Sequence, residues 1–308
     1  MTLENILAQR VRPLEIVVVD DGSDDGTEEM VTTEFAGVVK FVKNDGKGPG
    51  AARNTGIKNS SGEFIQFFDS DDLMTVNKLE VQLSMLEADP GLDLVYGPYV
   101  MAEETGKEWK QLDVIMQFSP LPDRPVHTLV GEGWCAITQS CLFRRAAVER
   151  AGPWREDLMP HEDKEYWYRL GKVLRRRSHE NKSCVFYRQH QQQITDQQVK
   201  KVHRAIDGIK AFDLILEEMT ADRVSTYSRI LCKGIRAGYV KYLQSQNHME
   251  YKNSIYDLIC YTVYLILQKI GRIKTSTNWQ PIHGPLSSET KFEEYKKLLP
   301  DEKYGFGS

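Results

Sequence analysis

Two acidic turns, each closing a short apolar strand, constrain this chain more than any other feature. Leu14-Glu15-Ile16-Val17-Val18-Val19 is a β-branched run that ends in Asp20-Asp21-Gly22-Ser23. Phe64-Ile65-Gln66-Phe67-Phe68 ends in Asp69-Ser70-Asp71-Asp72. Around them strands alternate with helical stretches: strands at 38–42, 63–68 and 93–99, helices at 50–59 and 79–88. Right-handed crossovers then give an α/β domain with a mostly parallel central sheet. Sheets of that kind take ligands at the carboxyl ends of their strands. Both acidic turns sit at such ends.

The residue types at these ends suggest phosphate chemistry. In extended chain Asp69 and Asp71 point the same way, and two carboxylates aimed at one point repel unless a hard cation shares them. Asp72, just before Leu73-Met74, could instead cap a helix, but capping leaves the rest of the cluster unexplained. Asp20 and Asp21 fit an ordinary turn, and equally a carboxylate accepting from a base N–H or a ribose hydroxyl. The stretch 44–56, Asn-Asp-Gly-Lys-Gly-Pro-Gly-Ala-Ala-Arg-Asn-Thr-Gly, offers glycines for close approach to a ligand and a helix start near Gly50 for an anion. Arg53 supplies a cation for a nucleotide or, equally, a structural ion-pair partner. The stretch is neither a Walker loop nor a dinucleotide fingerprint.

Charge excludes some classes. The net charge is −4, so the molecule as a whole is no polyanion binder. Residues 1–195 carry 23 Lys+Arg against 31 Asp+Glu, whereas residues 196–308 carry 17 against 13. An acidic front half needs a bound cation or local donors to hold phosphate. Arg175-Arg176-Arg177 has no interleaved aromatics, so no nucleic-acid partner is expected. The five cysteines are scattered without a CxxC pair, which fits a reducing compartment and offers no zinc site. No apolar run reaches the roughly 20 residues of a spanning helix. A cytoplasmic protein is expected, free or peripheral at the inner face of a membrane.

The segments Ile-Val-Val-Val-Asp-Asp-Gly-Ser, Gly-Ala-Ala-Arg-Asn-Thr-Gly and Phe-Phe-Asp-Ser-Asp-Asp, in that order, closely resemble glycosyltransferase family 2. His161-Glu162-Asp163, followed by Tyr166-Trp167-Tyr168-Arg169-Leu170, resembles the family's acceptor-side acidic motif. Ser140-Cys141-Leu142-Phe143-Arg144-Arg145 and Ala151-Gly152-Pro153-Trp154 precede it, as they do in the family. The resemblance covers roughly residues 3–190. It implies a GT-A nucleotide-sugar-binding domain and an inverting, metal-dependent transfer from a nucleotide-diphosphate sugar, foremost a UDP-sugar, to a glycan or glycolipid hydroxyl. By it, Asp20 or Asp21 resembles the nucleobase contact and Arg53 the nucleotide contact. Asp69 and Asp71 resemble the metal–diphosphate motif, with Mn²⁺ or Mg²⁺ as the ion. Asp163 resembles the catalytic base, and Glu162 a supporting or orienting group. His190, after a strand at 183–187, stands where related enzymes can bring a histidine to the metal or diphosphate. Family members open with an apolar strand and a helix; residues 3–9 match the tail of that helix, so residues 1–195 are expected to form an N-terminally incomplete domain.

Beyond residue 196 the resemblance stops. Helical periodicity marks 197–218, 222–244 and 253–273, a helical appendage over 196–274, followed by an extended tail over 275–308. Between Arg223 and Lys274 nine basic residues face two acidic ones, with Arg229, Lys233 and Arg236 on one helical face. Core packing, a homodimer seam or an anionic membrane surface are the partners this suggests. Two rival readings compete with the transferase. A catalytically impaired nucleotide-sugar-binding protein would bind donor without turnover. A nucleotidyltransferase would leave the Asp163 motif without a purpose.

Overall fold

The computed structural model describes residues 1–105, 108–112, 115–134, 136–189, 198–269 and 288–300. The front of the chain runs α1 (Thr2–Leu7), β1 (Val17–Asp20), α2 (Thr27–Glu34), β2 (Lys40–Lys43), α3 (Gly48–Lys58) and β3 (Phe64–Ile65). After the second acidic turn come β4 (Leu73–Met74), α4 (Lys78–Ala88), β5 (Leu94–Tyr96), β6 (Tyr99–Thr105) and β7 (Glu108–Gln111). Then follow α5 (Val126–Gly131), β8 (Cys141–Arg144), α6 (Arg145–Ala151), α7 (Glu162–Val173), β9 (Arg177–His179) and β10 (Val185–Gln189). Four more helices are α8 (Gln198–Ala221), α9 (Thr226–Ser245), α10 (Ile255–Lys269) and α11 (Ser288–Lys296).

The architecture is α/β, with sheets more mixed than the strand–helix alternation suggests. β1 and β2 pair in parallel; the other two sheets have the orders β4-β10-β6-β7 and β3-β8-β5-β9. Parallel pairs are β1–β2, β6–β10 and β5–β9, and the remaining four are antiparallel. The reason is local: alternation of strand and helix holds only as far as β3, since β4 and β6 each follow a strand directly. β6 and β7 follow one another without a crossover helix and so pair antiparallel. β8 inserts between β3 and β5 against the direction of both.

The main core lies between β3, β5, β8 and the helices α5 to α7, and it includes Phe212, Ile215 and Met219 of α8 and Cys232 of α9. Each large apolar side chain fully removed from water there contributes about 1.5–3 kcal/mol. The first helices after residue 196 are therefore walls of the core. Arg236, one of the three basic residues on the shared face of α9, pairs with Asp213 of α8. Lys233 lies with its ammonium 4.8 Å from the Tyr256 ring centre. For these two residues the partners on α8 and α10 agree with core packing, one of the three alternatives, rather than with a lipid surface.

A second core covers the sheet of β4, β10, β6 and β7, and α11 closes it with Phe292 and Tyr295, backed by Leu299. Part of the expected extended tail is thus helical. Its apolar residues recur three and four apart, a helical stripe. The remainder, 275–287 and 301–308, lies outside the described residues.

Segments distant in sequence meet at β4. Asn5 exchanges two 2.9 Å hydrogen bonds with the Met74 backbone, and Gln9 donates to the Thr75 carbonyl at 3.0 Å. The Val76 amide donates to the Leu298 carbonyl at 2.7 Å. β4 follows directly on the second acidic turn. Asp72 therefore leads into a strand and caps no helix.

Candidate active site

The first acidic turn is knitted to α3. One oxygen of Asp21 accepts from the Asn44 side chain at 2.7 Å, the other from the Gly48 amide at 2.9 Å. Asp20 folds back on its own turn, accepting from the amides of Gly22 and Ser23. Hydrogen bonding from Ser23 holds its carboxyl below the ordinary range. The glycines of the 44–56 stretch serve a different approach from the one expected of them. A Cβ on Gly48, which has φ of +84°, would lie 2.5 Å from Met159 Sδ, and one on Gly50 would lie 2.3 Å from the Arg155 carbonyl oxygen. They admit the protein's own loop at 155–159. Asn54 fastens that loop to α3, donating to the Trp154 carbonyl at 2.9 Å and accepting from the Trp154 amide at 2.8 Å.

α3 so fixed aims Arg53 at the second acidic turn. The guanidinium lies 4.6 Å from the centre of the Trp154 ring, 2.7 Å from Glu162 and 3.5 Å from Asp69. Its side chain is only 15% exposed. Burial opposes its charge, but Asp69 and Glu162 outweigh burial and raise its pKa. The turn itself is not the extended chain supposed from sequence. Strand pairing ends at Ile65 and the Asp72 amide donates back to the Asp69 carbonyl at 3.3 Å. The acids converge all the same. Burial raises Asp69; Arg53 opposes the rise and the charge of Asp71 adds to it. Asp69 is still 41% exposed to solvent, so one side of it remains open. Burial, with the charges of Asp69 and Asp71 behind it, pushes Asp72 well up.

Two residues that sequence reasoning missed hold this turn. Gln139 donates to Asp69 and, at 2.9 Å, to Asp72. The Arg188 amide donates to Asp72 at 3.1 Å, while its side chain donates to the Asp71 carbonyl. Trp154 is buried, and its ring face carries Arg53. No pattern marks Gln139, which stands just ahead of the Ser140–Arg145 segment.

The third contributor is the start of α7. His161 adopts a left-handed conformation, φ of 88°, so that Glu162 and Asp163 open the helix. Burial, reinforced by Lys164, pushes His161 down to about 4, so it is neutral at pH 7. Burial and the neighbouring Asp163 charge raise Glu162 although Arg53 pulls it down. For Asp163 burial works upward too, but Lys164, His161 and Arg53 together hold it below the ordinary carboxylate range. With His161 neutral, Lys164 and Arg53 are the cations that count at neutral pH.

Arg53, Asp69, Asp71, Glu162 and Asp163 are therefore brought into one region, while Asp21 meets the N-terminus of α3 and Asp20 folds on its own turn. His190 lies outside the described residues. Among the described residues no group of three His, Cys, Asp or Glu side chains is arranged to hold a metal ion. Two acids with mutual repulsion suit a cation whose remaining ligands come from a phosphate-bearing molecule. The described cysteines Cys141, Cys184, Cys232 and Cys260 are buried and unpaired. Among the described residues no helix is long and apolar enough to cross a membrane.

Residues 1–152 match the description Glycosyl transferase family 2. An uncharacterized glycosyltransferase of Rickettsia felis is 29% identical over 175 residues, covering 56% of this chain. UDP-Glc:alpha-D-GlcNAc-diphosphoundecaprenol beta-1,3-glucosyltransferase WfgD of Escherichia coli is 38% identical over 99 residues, covering 32% of this chain. The matched stretches span 29% and 39% of those relatives' own lengths. Among solved structures, S. aureus TarS 1-349 in complex with UDP-GlcNAc superposes with a TM-score of 0.51 at 16% identity. That superposition covers 78% of this chain and 76% of the other, and the likeness is one of fold.

Proposed function

Because residues 1–152 are a glycosyltransferase family 2 domain and the chain has the GT-A fold, we propose that it moves a sugar from a nucleotide-diphosphate donor to a glycan or glycolipid hydroxyl. The transfer is a single displacement with inversion and depends on a divalent cation, Mn²⁺ or Mg²⁺. One observation carries the reading. A single guanidinium, Arg53, links the acidic turn at Asp69 to the opening of α7 at Glu162, next to Asp163. The residues suited to a diphosphate and the residue suited to an acceptor proton thus share one wall.

Each residue then has a task. Asp163, held ionised by Lys164 and Arg53, accepts the proton of the acceptor hydroxyl. The hydroxyl oxygen bonds to the anomeric carbon as the bond to the diphosphate breaks, and its electron pair leaves with the diphosphate. Asp69 and Asp71 would hold the cation, which supplies Lewis-acid neutralisation of the charge that gathers on the leaving group. Gln139 and Arg188 keep that turn in shape. Glu162 orients Arg53. Asp20 offers the nucleobase contact, and Asp21 holds its turn against α3. UDP is the first donor nucleotide to examine, on the name of the WfgD relative.

Calorimetry with a panel of nucleoside diphosphates, with and without Mn²⁺, tests the reading. One nucleotide should bind in a metal-dependent manner, and Asp71→Asn should abolish that dependence, because a lone carboxylate holds the ion poorly. Equal affinity of both proteins in the presence of Mn²⁺ would remove the metal assignment.

A further inference from the structure

A cavity of about 420 Å³ lies between α8, α9 and α10, within the size range of small-molecule sites (~300–1,000 Å³). Its lining is of two kinds. Lys201 and Arg204 of α8 supply cations; Tyr239, Tyr261 and Leu265 supply apolar and aromatic surface. Tyr239 also ties the cavity to the site already described. Its ring meets His161 edge-on, with centroids 5.3 Å apart, and Asp163, Lys164 and Arg204 are all near enough for their charges to act on its phenol. The cavity thus shares Tyr239 with the opening of α7, although Asp163 itself is not among its lining residues.

Leu265 belongs to a second feature. On α10, Cys260 is the buried residue, whereas Ile255, Leu258, Ile259, Leu265 and Ile266 are exposed. Ile255, Leu258, Ile259 and Ile266 are spaced three, four and seven apart and so form one stripe. Leu265 both lines the cavity and is exposed, so it joins the cavity to the outer face of α10. The lining thus combines two cations, aromatic rings and the edge of an apolar helix, and Tyr239 joins it to His161 at the opening of α7.

We propose that this cavity binds an acceptor glycan through its lipid carrier, with the linking phosphate at Lys201 and Arg204 and the hydrocarbon chain leaving over Tyr261, Leu265 and the α10 stripe. The inference rests on the transferase reading and names its acceptor class. A neutral glycan would have no use for the cations, and a free phosphate none for the stripe.

The test uses the full chain without donor and dodecyl phosphate below its micelle concentration, with inorganic phosphate and dodecyl maltoside as comparison probes. Calorimetry should show dodecyl phosphate binding at least about tenfold more tightly than either comparison. The double variant Lys201→Gln/Arg204→Gln should weaken it by about tenfold or more, towards the neutral amphiphile, and Leu265→Asp should weaken both amphiphiles. Neither variant should alter nucleoside-diphosphate binding or the circular dichroism spectrum. Inorganic phosphate binding as well as dodecyl phosphate would overturn the proposal in favour of a simple anion site. Indifference of dodecyl phosphate to both variants would overturn it too. So would a dimer in sedimentation that Ile259→Asp dissociates while dodecyl phosphate fails to bind, since the stripe would then belong to a second copy. Failure here with nucleotide binding intact removes the acceptor class alone; failure of nucleotide binding removes the transferase reading by itself.

Discussion

Arg53 and the acids around it decide which protons the site holds at neutral pH. Glu162, raised by burial, and Asp163, lowered by its cations, are neighbours on one helix start with shifts in opposite directions. That separation gives Asp163 the ionised role. Asp163→Asn should leave nucleoside-diphosphate affinity within about twofold while cutting transfer by roughly 10²–10⁴, the usual cost of losing a general base. Parallel kinetics and calorimetry check this, and an equal collapse of binding would make Asp163 a structural residue. Asp69 was legible in the sequence because a cluster of acids at a strand end needs a reason to be there, and Arg53 and Asp163 were legible through the resemblance to the family. Gln139 was not, because a neutral amide follows no period and its two acceptors lie about 70 residues away. Gly48 and Gly50 were legible as places of close approach, but sequence cannot say whether a ligand or a loop does the approaching.

At the scale of elements, α7 presents Glu162 and Asp163 only because its far end is braced against α5. Gly171 sits at that crossing, where an added Cβ would lie 2.5 Å from the His127 amide nitrogen and 3.0 Å from the Val126 carbonyl carbon. Those are backbone atoms and cannot swing aside. Gly171→Ala should therefore destabilise by about 1–3 kcal/mol, although alanine is the better helix former by up to ~1 kcal/mol. A lower thermal midpoint, with the helical spectrum retained below it, is the expected result; an unchanged or higher midpoint would mean that α5 yields. Sequence periodicity located the long helices to within a few residues, since amphipathic spacing over five or six turns is a strong signal. It did not reveal sheet direction. β3 and β4 are two residues each, too short to carry a pattern, and their antiparallel partners come from about 80 and 110 residues further along.

Across the whole molecule, a buried polar network ties α4 to the sheet β3-β8-β5-β9 behind the acidic turn. Lys78 of α4 donates to Gln66 and, at 2.9 Å, to Gln82. Gln82 in turn donates to the Ser140 carbonyl and to Glu180. Burial pushes Lys78 down to about 8 from its ordinary 10.5. The unfolded chain then binds a proton that the folded chain has released between those two values, so Lys78 makes stability rise with pH across that window. Below pH 8 both states are protonated and the penalty is constant. Denaturant titrations at pH 7, 8.5 and 10 should show Lys78→Met lacking this component, about 1.4 kcal/mol for each pH unit within the window. Equal pH slopes for the two proteins would place the charge elsewhere. The meeting of α1, β4 and the stretch after α11 has a consequence for biosynthesis. Val76 and Leu298 are roughly 220 residues apart. At ~5–20 residues per second, the partner of Val76 leaves the ribosome about 10–40 s later. Through that interval the Leu73 side of β4 lacks the cover that Phe292, Tyr295 and Leu299 give it. The nascent chain must carry an open flank beside its acidic turn until α11 arrives, and that interval is when a holding chaperone would matter most to it.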